Sequence, residues 1–166
     1  MKHFKSLLFA AALFIGATTY MSAQSKIAHI DTQKLIEAMP DYIKAKAEID
    51  KLKATYQAEL QDQMKELNNK IKQYEAEAAS QTDEENLRRK QEVATFDQSI
   101  AVYQQNQIQD IQKKNEAFMK PIIEDAKKAI QEVAKAQGYE YVLDSAVLLV
   151  SDGKDLMADV KAHLKI

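Results

Sequence analysis

The chain has 166 residues, with three glycines, two prolines and no cysteine, and its 23 basic and 25 acidic side chains leave a formal charge of −2. So few chain-breaking residues exclude a compact globule that turns often, and the absence of cysteine excludes a disulfide framework. The charge balance excludes the clustered basic surface that a nucleic-acid partner requires.

The opening stretch, residues 1–23, places Lys2 and Lys5 before an apolar run from Leu7 to Ile15 and ends in small and polar residues at Ala23. This pattern predicts a secretory signal peptide cleaved after Ala23. The apolar run is shorter than the roughly 20 residues needed to span a bilayer. No cysteine follows to carry a lipid, so a released, exported chain is expected. Losing Lys2 and Lys5 would leave 21 basic against 25 acidic residues, a charge of −4.

Lys26 to Ile30 reads as a short strand leading into a helix that Asp31 or Thr32 caps. Pro40 interrupts that helix and suits the first turn of another. From there Ile49, Leu52, Tyr56, Leu60, Met64, Leu67, Ile71 and Tyr74 form one narrow apolar stripe on a polar helix, the pattern of a two-helix seam. Residues 79–86 lack an apolar anchor, and Thr82 with Glu85 three residues later forms a capping box, so the chain is expected to reverse there. A second stripe runs through Leu87, Val93, Phe96, Ile100 and Tyr103, slips at Ile108 and Ile111, and continues through Phe118, Ile122, Ala126, Ile130 and Val133. Pro121 is expected to bend this returning helix near Ala117. Gly138 suits the left-handed position just past a helix end. Two strands, 139–143 and 147–150, are then expected to pair as a hairpin turning at Asp144, Ser145 and Ala146. Asp155 is expected to cap a last helix carrying Leu156, Val160 and Leu164.

The expected fold is therefore α+β, mostly α: a long antiparallel helical-hairpin, coiled-coil arm at 41–121 with its tip near 79–86, on a small body built from 24–40 and 122–166. So few strands make a marginal sheet in water, and sharing it among identical chains would cover its faces and edges. Ile27, Ile30, Tyr139, Tyr141, Leu143, Val147, Leu149, Leu156, Val160 and Leu164 are the candidate oligomerisation residues.

Chemistry finds little support. His29 and His163 stand alone, without metal-ligand spacing. Glu84–Glu85 and Glu124–Asp125 are adjacent on helices and point to different faces, so neither pair forms an acid/base dyad. No glycine-rich phosphate loop is present. No catalytic residue, metal or cofactor is expected.

The segments KIAHIDTQKLIEAMPDY, GYEYVLD and the stretch Asp155 to Leu164, spaced around a long helical hairpin, resemble the OmpH/Skp family of periplasmic chaperones for outer-membrane proteins. The resemblance spans essentially the whole chain after residue 23. It implies a homotrimer with a small β-strand trimerisation body, whose three arms enclose a cavity that holds unfolded outer-membrane β-barrel proteins without ATP. Candidate client-contact residues are Tyr42, Tyr56, Met64, Phe96, Val102, Tyr103, Phe118 and Met119, whose adaptable apolar side chains suit many weak contacts. Family members are strongly basic toward the arm tips, whereas here Arg88, Arg89 and Lys90 are balanced by Asp83, Glu84, Glu85 and Glu92. Charge steering and tip-mediated contact with a membrane surface are accordingly not expected. A structural coiled-coil adaptor bridging cell-envelope components is the alternative.

Overall fold

The computed structural model describes residues 26–166. The signal-peptide reading of 1–23 lies outside them. Strand β1, Ile27–Ile30, leads into helix α1, Thr32–Ala38, where the Asp31 carboxylate accepts from the Lys34 amide at 2.9 Å. Met39 adopts an extended conformation, as a residue before proline must, and α2 begins at once with Pro40 in its first turn. This helix runs Pro40–Glu77, about 57 Å at 1.5 Å per residue.

A single 3-10 turn, Ala78–Ser80, reverses the chain. Helix α3, Asp83–Gln137, then returns antiparallel to α2, with Thr82 Oγ1 accepting from the Glu85 amide at 3.2 Å. It is one continuous helix through Pro121 and longer than the arm, because its apolar period persists into the body. It ends at Gly138, which takes the left-handed conformation at φ 72°.

Strand β2, Tyr141–Asp144, and the two-residue β3, Lys154–Asp155, both pair with β1, each in parallel, giving the order β2-β1-β3. Parallel neighbours require a crossover, and the arm supplies it between β1 and β2. Helix α4, Met157–Leu164, closes the chain, with Asp155 Oδ1 accepting from the Met157 amide at 2.8 Å.

The expected hairpin is corrected. Residues 147–150 form no strand; Ser145–Val147 is a 3-10 turn, and Val147, Leu149 and Val150 are exposed. A tight hairpin needs left-handed turn residues, and among the described residues only Gly138 and Lys165 have positive φ. Asp144 instead fixes a non-reversing turn, its carboxylate accepting from the Ala146 amide at 3.0 Å and from Thr32 Oγ1 at 2.7 Å.

The core lies where the two ends of the chain meet. Ala28 and Ile30 face Ile122, Ala126, Ala129 and Val133 of α3, with Leu35, Leu156 and Val160 fully enclosed around them. Burial of these side chains against one another supplies the body's main stabilisation.

Candidate functional site

The arm is built on a mixed seam. Ile49 and Leu67 of α2 and Ile100 and Gln107 of α3 are buried between the helices, and Leu52, Leu60, Ile71, Phe96 and Ile111 are half-buried. Three seam assignments are corrected. Met64 is 51%, Leu87 58% and Ile108 60% exposed, whereas Gln107 is 7% exposed and takes the seam position near Ile108. Steps of four from Tyr103 through Gln107 to Ile111 keep one helix face, and the aliphatic side chain at 108 falls off it.

Around Gln107 the seam is polar. The Tyr56 hydroxyl donates to Asp110 Oδ2 at 2.7 Å, the Tyr103 hydroxyl donates to Glu59, and Gln107 Nε2 donates to the Tyr56 carbonyl at 3.4 Å. The bond to Asp110 pushes the Tyr56 hydroxyl up to about 12. Asp110 is lowered in turn by Tyr56 and Lys114.

Toward the tip, charged groups clasp the two helices. Lys70 Nζ lies 2.6 Å from Glu92, which also accepts from the Tyr74 hydroxyl at 3.0 Å. Arg89 bridges Glu77 at 2.8 Å and Glu85 at 2.9 Å, with its guanidinium 4.6 Å from the Tyr74 ring centroid. Glu85 completes only half of the expected capping box: its amide donates to Thr82, while its carboxylate binds Arg88 and Arg89. Those two guanidinium contacts hold the Glu85 carboxyl down at about 2. Arg88 and Arg89 at the tip are therefore engaged by carboxylates of the arm itself.

The structure distributes the candidate client residues among three settings. Tyr56, Phe96 and Tyr103 are half-buried along the seam, and Lys70 lies 5.7 Å from the Phe96 ring centroid. Tyr42 and Phe118 pack against the body core, and Met119, next to Phe118 in sequence, is half-buried. Met64 and Val102 are exposed. Ile43, Leu87, Ile108 and Ile123 are also exposed apolar side chains that stripe-reading did not single out as contact residues, though plotting them by helical angle would have separated them from the seam.

Among the candidate oligomerisation residues, Ile30, Leu156 and Val160 lie in the protomer's own core, with Tyr139 and Leu164 packed against it. Ile27, Tyr141, Leu143, Val147 and Leu149 are exposed. Ile27 stands in register with Tyr141, and His29 with Leu143, so these four share the sheet face away from the helices. His29 is buried, its Nε2 lying 3.1 Å from the Gly153 carbonyl, while Nδ1 has no hydrogen-bond partner among the described residues. His163 lies 2.9 Å from Glu132, joining α4 to α3.

The family described as outer membrane protein (OmpH-like) matches residues 26–164. A comparison with curated proteins finds no match. Among solved structures the chain is similar to one described as a candidate outer membrane chaperone (OmpH-like) from Caulobacter crescentus CB15, with a TM-score of 0.76 and 16% identity over 88% of this chain and 87% of that one. The same mostly helical architecture, a long hairpin on a small sheet, is common to both. With the family match covering every element from β1 to α4, this chain belongs to the OmpH-like family.

Proposed function

We propose that the chain is a periplasmic, ATP-independent holdase chaperone that keeps unfolded outer-membrane β-barrel proteins from aggregating, and that it works as a homotrimer. The observation that carries this reading is the division of the molecule into a body with an uncovered apolar sheet face and a long two-helix arm projecting from it. Ile27, Tyr141 and Leu143, with Val147 and Leu149 beside them, leave an apolar surface that a second and third copy would cover. Family membership, the number of copies that the resemblance implies, and the signal-like residues 1–23 support periplasmic assembly. Three arms around a central space would separate a client's strand edges from those of other clients. Of the candidate contact residues, Met64 and Val102 are the ones already open to solvent.

Dilution of urea-unfolded outer-membrane proteins into buffer, followed by turbidity, tests the reading. Suppressed aggregation of several unrelated barrels at one trimer per client is expected. Aggregation at the same rate with and without the protein would refute it. Stable binding to one folded envelope protein, with no such protection, would instead identify a structural adaptor.

A further inference from the structure

The two arm helices differ sharply in charge. Between Glu48 and Lys70, α2 carries Glu48, Asp50, Lys51, Lys53, Glu59, Asp62, Lys65, Glu66 and Lys70. From Val93 to Gln112, α3 carries only Asp97 and Asp110, and Asp110 is engaged in the seam by Tyr56. Leu87, Val102, Ile108 and Ile123 are all exposed. At 3.6 residues per turn they fall within an arc of about 120°, centred about 150° from the seam residues Ile100 and Gln107. Exposed glutamines, among them Gln98, Gln105 and Gln112, share that arc.

We propose that this charge-free outer face of α3, centred on Val102, Gln105 and Ile108, is the surface on which unfolded β-barrel segments lie, and that α2 is the solvent-facing helix of the arm. The inference rests on the holdase reading and assigns its contact surface. Membrane β-strands alternate apolar lipid-facing residues with polar lumen-facing ones. Covering a charged helix with such a chain would strip water from ions and offer them no counter-charge. The face on α3 carries no such penalty. Its aliphatic side chains accept apolar residues, and glutamine amides both donate to and accept from the unpaired peptide groups of an unfolded strand. From Gln91 to Gln112 the charge-free face is about 32 Å long, enough for a transmembrane strand of about 10 residues. Contacts of this kind involve no ions, so binding should be nearly independent of salt.

The test measures affinity of the mature chain for a urea-unfolded eight-stranded outer-membrane barrel by fluorescence. V102E/I108E is compared with A54E/Q61E, which places the same added charge on exposed positions of α2. V102E/I108E should bind at least about tenfold more weakly, equivalent to about 1.4 kcal/mol, with unchanged helicity and unchanged mass by light scattering. A54E/Q61E should stay within about twofold of the parent. Raising salt to about 0.5 M, where the Debye length falls to a few ångströms, should shift the parent's affinity by less than about twofold. Equal binding by V102E/I108E, equal weakening by A54E/Q61E, or a tenfold loss with salt would overturn the assignment while leaving the holdase reading intact. A changed mass for V102E/I108E would overturn it in favour of contact between copies. If the parent binds no unfolded barrel, the holdase reading itself fails.

Discussion

Gly138 takes the left-handed conformation in which its amide reaches the carbonyls of Ala134 and Lys135 and closes α3. A Cβ there would lie 3.6 Å from Lys26 Nζ, an ordinary contact, so the cost of Gly138→Ala is one of backbone conformation alone. That cost is about 1 kcal/mol, and the thermal midpoint should fall by about 2 to 4 °C at fixed protein concentration. An unchanged midpoint by circular dichroism would contradict it. Leu35 is fully enclosed between sheet and helices, and Leu35→Ala should cost about 2 to 5 kcal/mol in urea titration. Glu85 responds to acid in a direction that its guanidinium partners set. Its folded value is about 2, below the ordinary 4.5, so its contribution is complete above pH 4.5 and disappears as pH falls toward 2. Amides around Thr82 to Arg89 should therefore exchange faster across that window, and an exchange pattern flat with pH would exclude the role given to Glu85.

At the scale of elements, the arm and the body obey different rules. The arm is held by a thin seam and, near its tip, by the Arg89, Glu77 and Glu85 contacts. Arg89→Ala should raise amide exchange near the tip and leave the body's exchange unchanged; uniform loss of protection would mean that the arm and body unfold as one unit. The arm's two helices and their reversal were legible because period, proline, cap and glycine all pointed the same way. The body was less so. Nothing in the run Val147 to Val150 distinguishes an apolar strand from an apolar exposed loop, since both are β-prone and the difference lies in whether the preceding turn can reverse the chain. Lys154 and Asp155 gave no strand signal, because a two-residue edge strand is recruited by its pairing with β1 rather than by its own composition. The uncharged outer face of α3 was present in the sequence all along, but period-reading favours residues that recur on the buried side and passes over those opposite.

For the molecule as a whole, the protomer completes one core and leaves one apolar face open. The side chains that fill the first, Ile30, Leu156 and Val160, differ from those that form the second, Ile27, Tyr141 and Leu143. Stability and assembly should consequently separate on mutation. If the chain assembles as the proposed trimer, Tyr141→Asp with Leu149→Asp should shift the mass in light scattering toward that of the monomer while helicity persists. A trimer that survives both changes would show that the open face lies outside the contact between copies.

The central position of β1 has a further consequence. Its two neighbours both come from the far end of the chain, so the sheet ties the segment before the arm to the segment after it. A protease cutting once between Ala79 and Gln81 would sever the polypeptide yet release nothing. The two fragments would stay clipped together at the opposite end, like the legs of a clothes-peg at its spring, and would part only when denaturant dismantles the sheet.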